Sequence, residues 1–430
     1  MLTYQDFLRC TDGDAKAQFL IRAVEAHTSG ALYQTAATAQ KYAQGQNPVI
    51  ESYRKLLYTL SGEAVPDTVS ANHKCKSGFF RRFVTQRASY LLGNGVRFTN
   101  PRFAERLGEG FDGQLYFAGK AALVDAVSFG FLNADRVEFF RVTEFVPLFD
   151  EEDGQLKAGI RFWQLAADKP RRFTLFEPDG YTEYIRGQGR PMTALGPKTP
   201  YLRLVESTPA HGERVVGEGN YGALPIVPLY ANRERQSTLV GIKEQIDCYD
   251  LIKSGFANDL DDASMIYWTL ENTGGMDDVD LVQFVERMKT VRAAVVDGDG
   301  GARAEAHTME VPFESREAYL ARLKKDLYDD YMALDPAEIA GGQVTATQIR
   351  AAYEPLNEAA DEFEYCVLEF LQGLMALTGE TDTPTFTRSA IVNVQQEVET
   401  VLAAAGVLDP AFVKAKILRL LGEDDGGPAD

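Results

Sequence analysis

The chain has 430 residues, of which 45% are apolar and 25% are charged. That balance suits a globular protein with a sizeable core and excludes a wholly disordered chain or a collagen-like fibre. Lys and Arg total 44 against 63 Asp and Glu, a formal charge of −19, which disfavours a surface that wraps DNA. At roughly 100–200 residues per domain, the length predicts two to four structural units. No run approaches the ~20 apolar residues of a membrane span. Residues 1–22 carry Asp6, Asp12 and Asp14 and lack the apolar stretch of a signal peptide, so assembly in the cytoplasm is expected.

Residues 14–60 read as helical, split by the turn at Gln44-Gly45-Gln46-Asn47-Pro48, with Pro48 placed to begin a second helix. Residues 61–77 read as a loop. A helix is predicted from about 78 to 92, stopping at Gly93-Asn94-Gly95, and another from about 113 to 132. From 136 to 206 apolar and polar residues alternate, with turns at Glu152-Asp153-Gly154, Pro178-Asp179-Gly180 and Gly187-Gln188-Gly189. That pattern predicts an antiparallel meander, closing on 222–230.

The second half is mainly helical. Leu239, Ile242, Ile246, Tyr249, Ile252, Phe256 and Leu260 mark one face of a long helix. A helical stretch at 277–293 follows, then a hairpin over 293–311 around Asp297-Gly298-Asp299-Gly300-Gly301. Helical spacing returns at Leu320, Leu323, Leu327, Tyr331 and Leu334 and breaks at 335–342. Thr345-Ala346-Thr347-Gln348 is a capping box. The helix it opens runs to Thr378, with Gly379 as its stop and a bend expected at Pro355. An extended piece at 385–388 and two more helices, over 389–405 and from Asp409 on, complete the chain.

Cys10, Cys75, Cys248 and Cys366 lie far apart, and the four histidines are scattered. His73 and Cys75 are close but lack a second ligand pair, so they read as loop residues. No metal and no cofactor are expected. The chain has no nucleophile-elbow, P-loop or His-Glu-x-x-His motif. The position eleven after Asp297 is Thr308 rather than the Glu a calcium loop needs. No catalytic residue is singled out, although 63 carboxylates leave a carboxylate-dependent hydrolase as an alternative.

Charge is unevenly spread. Between 71 and 106 stand Lys74, Lys76, Arg81, Arg82, Arg87, Arg97, Arg102 and Arg106 against the single acid Glu105. This segment fits a polyanion or an acidic neighbour; a solvated helix face or ion pairing between subunits is the plainer reading. Residues 237–267 carry two Lys against six acids, and the loop 334–344 has Asp335 and Glu338 with no basic residue.

The order of these elements resembles the portal proteins of tailed bacteriophages, nearest the Gram-positive siphophage type. Asn72-His73-Lys74 leading into a helix that ends Ser89-Tyr90-Leu91-Leu92-Gly93-Asn94-Gly95-Val96 is similar to the family's wing motif. Leu224-Pro225-Ile226-Val227-Pro228-Leu229-Tyr230-Ala231-Asn232 is similar to its "iPvv-f-N" strand. Residues 246–250 with 258–262 resemble the first stem helix. Val311-Pro312, a helix, a Gly-rich loop and Thr345–Ile349 resemble the second stem helix, tunnel loop and long wing helix. The resemblance runs from about 30 to 400, and the region after 389 is shorter than in many relatives.

The resemblance implies an α+β portal fold: a helical and antiparallel-sheet wing, a two-helix stem, a small α/β clip, a kinked long helix and a helical crown. Carried over, the wing is 1–236 plus 345–388, the stem helices 237–267 and 312–333, and the clip 268–311. The tunnel loop is 334–344 and the crown 389–430. It implies a dodecameric ring at one capsid vertex of the virion, acting as head-to-tail connector. Double-stranded DNA passes through its channel during packaging and ejection. Its partners are the large terminase, the head-completion or tail adaptor, and the major capsid and scaffolding proteins; no membrane is involved. Another capsid-vertex adaptor is the second alternative.

Asp335, Glu338, Gly341, Gly342 and Gln343 are then tunnel-loop residues, with Asp335, Glu338 and Gln343 nearest DNA and the two glycines permitting backbone shapes that other residues avoid. A bore lined with carboxylates holds DNA loosely, because every phosphate neutralised adds affinity. Arg316, Arg322, Lys324 and Lys325 offer a limited attractive ring or ion pairs between subunits. Asp277, Asp278, Asp280 and Glu286 mark a docking surface on the clip, whose strands 294–296 and 304–309 are expected to pair with neighbouring subunits.

Overall fold

Side-chain caps open the first helices. In α1 (Tyr4–Leu8) Thr3 and Asp6 form a capping box. In α2 (Gly13–Thr28) the Asp12 carboxylate accepts the Ala15 N–H at 2.7 Å. α3 (Ala31–Ala43) follows, and α4 (Pro48–Ser52) carries Pro48 in its first turn under an Asn47 cap. The expected helix to residue 60 ends at Ser52. Beyond it β1 (Leu56–Tyr58) pairs antiparallel with β2 (Ala64–Pro66), because Leu56-Leu57-Tyr58 fits a pleated ladder as well as a helix.

The computed structural model describes residues 2–58, 62–67, 70–208, 212–263, 267–271, 303–307, 313–340 and 345–389, with scattered positions between 401 and 418. The chain divides into two compact units, one of 1–46, 78–243 and 327–430, the other of 47–77 and 244–326.

The first unit contains α5 (Phe79–Leu92), β3 (Val96–Arg97), α6 (Pro101–Leu107) and α7 (Phe111–Asp125). The single helix expected over 113–132 is corrected here. α7 stops at Asp125, Ala126 takes φ +77°, and β4 (Val127–Asn133) begins. β4 is buried on both faces, and such a strand reads as an unbroken apolar run, like a buried helix. Gly130 is needed within it, since a Cβ there would lie 2.6 Å from the Phe370 ring.

The expected meander resolves into separate sheets. Its strands are β5 (Arg136–Arg141), β6 (Phe145–Phe149), β7 (Leu156–Trp163), β8 (Arg171–Glu177), β9 (Gly180–Arg186), β10 (Thr193–Ala194), β11 (Leu202–Thr208), β12 (Gly212–Gly219) and β13 (Ile226–Tyr230). One sheet has the order β10-β9-β8-β7-β6 and another β13-β4-β5, while β11 and β12 form a two-stranded ribbon. Phe7, Phe19, Leu20 and Val24 cover the five-stranded sheet at Val146, Ile160, Phe173 and Leu175. Phe129, Phe131, Phe140, Phe145 and Phe176 form a second core. Each such buried side chain contributes about 1.5–3 kcal/mol.

Asp125 joins three elements. It is fully buried. Arg141 donates to both its oxygens, at 2.6 and 2.9 Å, and Gln40 donates to both at 3.1 and 3.2 Å. Burial pushes the carboxyl above its ordinary range, while Arg141 and Gln40 pull it down.

The second unit is organised on α8 (Lys243–Ala263). Asp250, Ser254 and Asn258 recur four apart on one face. They accept the backbone N–H groups of Ser77, Cys75 and His73 at 2.8, 3.0 and 2.6 Å. The match is geometric: four helical residues rise ~6 Å and two extended residues ~6.6 Å. The segment read as a loop is thus a strap laid along α8. Buried Asp250 also accepts the Asn47 side-chain N–H at 2.9 Å. Burial pushes its carboxyl up, against the bonds from Asn47 and Ser77. His73 Nε2 stands 3.5 Å from Asp261, so His73 and Cys75 are strap residues.

β14 (Tyr267–Glu271) pairs antiparallel with β15 (Arg303–His307). The strand expected at 304–309 therefore has a partner within its own chain, upstream of the anticipated hairpin. The expected helix 277–293, the turn at 297–301 and the acids Asp277, Asp278, Asp280 and Glu286 lie outside the described residues. The same holds for most of 389–430. α9 (Phe313–Tyr331) begins in the second unit and ends in the first.

Candidate functional site

The loop that leaves α9 is anchored from below by α5. Met332 takes φ +57° and ends the helix. Arg87 donates to the Tyr331 carbonyl at 2.7 Å, and its guanidinium sits 4.5 Å from the Tyr331 ring centre. Gln86 grips Leu334 at two points, donating to its carbonyl at 2.9 Å and accepting its N–H at 3.1 Å. Arg82 donates to the Tyr328 hydroxyl at 2.8 Å, and Phe83 stacks on Tyr331 at 4.8 Å. Burial raises the Tyr331 hydroxyl's pKa.

The loop itself contains α10 (Pro336–Ile339), capped by Asp335, whose carboxylate accepts the Ala337 N–H at 3.1 Å. Asp335 thus has a local structural task, while Glu338 is exposed. Gly341, Gly342 and Gln343 lie outside the described residues. α11 (Ala346–Thr378) opens on the Thr345/Gln348 capping box, contains Pro355, and ends at Gly379 with φ +71°. Its first turns return to α5. Tyr353 stacks on Tyr90 at 5.7 Å, and Leu334, Leu356 and Ala360 close the same cluster. Both ends of the loop are therefore held by one helix. After α11, β16 (Thr385–Phe386) pairs with β3, and Arg388 bridges Asp361 and Glu364.

The other sequence-derived residues do not form one site. Arg316 pairs with Asp259 and lies 5.9 Å from the Phe256 ring. Arg322 pairs with Asp326 at 2.7 Å, one helical turn on. Lys324 is half-buried and Lys325 exposed. The basic segment splits in two. Arg82 and Arg87 belong to the clamp, Lys76 pairs with Glu51 at 2.7 Å, and Lys74 donates to the Tyr53 carbonyl at 2.6 Å. Arg81, Arg97, Arg102 and Arg106 are exposed.

Gln86 and Arg87 were missed as anchors, although a signal existed. Phe80, Phe83, Arg87 and Leu91 recur at helical spacing, which puts Arg87 on the buried face rather than in a basic patch. Of the fully buried carboxylates, Asp125 stands in the first unit and Asp250 in the second, each held by structural donors.

Comparison with known proteins follows this geometry. The family model described as "Phage portal protein, SPP1 Gp6-like" matches residues 133–411. The portal protein of Bacillus phage SPP1 is 24% identical over 385 residues, covering 82% of this chain and 74% of that protein. The portal protein of Clostridium phage phiCD119 is 27% identical over 210 residues, 47% of this chain and 46% of that protein. The match thus spans about half the length of the Clostridium phage relative. A chain in the neck of an empty GTA particle covers 82% of this chain and 91% of its own length, with 13% identity and a TM-score of 0.46. One in the virion of a native gene transfer agent particle gives 82%, 90%, 12% and 0.42.

Proposed function

Because the chain belongs to the SPP1 Gp6-like phage portal protein family, we propose that it assembles as a dodecameric ring at one capsid vertex. The ring is the channel for packaging and ejecting double-stranded DNA. The match over 133–411 carries this reading. In it the chain is structural rather than catalytic and resides in the virion. It docks the large terminase and later the tail adaptor, within a shell of major capsid and scaffolding proteins. The wing is 1–236 with 345–388, the stem 237–267 and 312–333, the clip 268–311 and the crown 389–430. The clip acids Asp277, Asp278, Asp280 and Glu286 form the docking surface, and exposed Lys325 is the most available of the stem cations. Electron microscopy of the purified chain tests the proposal. Rings with a central hole are expected, and a compact monomer overturns it.

The segment 334–344 is the tunnel loop of this reading. The clamp from Gln86 and Arg87 supports that role, since a loop that meets moving DNA needs a fixed base. Glu338 is its exposed acid, and Asp335 caps α10. The informative variant is therefore Glu338→Lys with Asp335→Asn, which retains a capping side chain. Added cations facing the phosphates slow packaging severalfold and tighten DNA retention, and the difference fades as salt rises. Unchanged packaging in rings that form normally removes the loop from the mechanism.

A further inference from the structure

The outer face of α11 is strongly acidic. Glu354, Glu358, Glu362 and Glu369 are exposed, and Tyr365 stands among them 59% exposed. The stripe spans roughly 22 Å of helix. Among the described residues none of these four carboxylates makes an ion pair. Glu354, Glu358 and Glu362 are successive i, i+4 neighbours, and like charges at that spacing destabilise a helix. The same first unit carries the opposite pattern on α6 and at Arg97, the end of β3. Arg97, Arg102 and Arg106 are exposed and make no ion pair among the described residues, and Arg102 and Arg106 repeat the like-charge spacing.

We propose that the α11 face of one copy docks on the Arg97–Arg102–Arg106 face of a second copy, with Tyr365 as the apolar anchor between the charges. Two surfaces of opposite sign on one chain, each self-repelling alone, make a heterologous contact, the kind that closes a ring head to tail. A chain of net charge −19 repels its copies in general, and a local match of opposite charges offsets that repulsion where the two faces meet. A partly exposed aromatic side chain at the centre of a charged rim is the usual composition of an interface hot spot. The proposal rests on the ring reading and adds which faces meet.

The test uses full-length chain with Glu358→Lys/Glu362→Lys on one face, Arg102→Glu/Arg106→Glu on the other, and all four together. Assembly is followed by native mass spectrometry. Each single-face variant should associate about a hundredfold more weakly than wild type, since like charges then face each other. Mixing the two single-face variants should restore assembly, because every contact again joins opposite signs. The four-fold variant should assemble alone, which also shows that the substitutions permit folding. Single-face variants that assemble like wild type overturn the docking and leave the ring standing. Failure of both the mixture and the four-fold variant also overturns the docking. A wild-type chain that stays monomeric overturns docking and ring together.

Discussion

Replacing Arg141 with Met lowers the unfolding free energy by about 3 kcal/mol at neutral pH, because it strands the buried Asp125 carboxylate. The Arg141 side chain is 40% exposed and Asp125 fully enclosed, so solvent screens one partner only; this keeps the loss at the lower end of the range for a broken buried pair. Gln40 remains, and its two contacts recover part of the loss. The pH dependence identifies the cause. Burial already raises the Asp125 carboxyl, and without Arg141 it rises further. The folded state then holds the proton more tightly than the unfolded chain. Stability therefore falls as pH rises from the unfolded carboxylate value of ~3.9 toward the raised folded value. The deficit of Arg141→Met should be small in mild acid and complete at pH 7, as measured by chemical denaturation at both. The pair Asp125→Leu/Arg141→Met should recover most of the loss, since an apolar replacement removes the desolvation penalty along with the attraction. A deficit independent of pH would mean that Asp125 is not charged in the folded state.

What was legible in the sequence was chemistry that acts within one turn of chain. The Thr345–Gln348 capping box, Pro48 under its Asn47 cap and the Gly379 stop each involve residues at most four apart. What was not legible depends on partners far away in sequence. The strap looked like a loop because its N–H acceptors are side chains of Asp250, Ser254 and Asn258, more than 170 residues later. β4 looked like helix because both its faces are buried. The loop at 334–344 is conspicuous by its acidic, Gly-rich composition, but composition cannot say that Asp335 is a cap or that Gln86 holds Leu334. The family resemblance was legible from element order together with short motifs, and the family match over 133–411 agrees with it.

Replacing Arg87 with Ala should cost about 3 kcal/mol and loosen the loop base more than any other single change on α5. Arg87 is 9% exposed. It supplies a charge-assisted hydrogen bond to the Tyr331 carbonyl, of order 1.5–3 kcal/mol, and a desolvated cation–π contact of about 1–2 kcal/mol. These overlap, since both depend on one guanidinium position. Its Nε is buried without a hydrogen-bond partner, a penalty that Ala also removes and that trims the total. Arg87→Lys should recover only part of the loss, because an ammonium lacks the planar group that stacks on Tyr331. Gln86→Ala gives the contrast. It removes the two-point grip on Leu334 but leaves α9 docked, so the global loss stays near 1 kcal/mol. Hydrogen exchange separates the two. Gln86→Ala should raise exchange at the Leu334 amide selectively, since Gln86 accepts that N–H. Arg87→Ala should raise it across the end of α9 as well, at Tyr328 and Tyr331. If Arg87→Ala leaves both the unfolding midpoint and those amides unchanged, the stacking of Phe83 on Tyr331 is what holds the helix end, and the guanidinium is not the anchor of the loop.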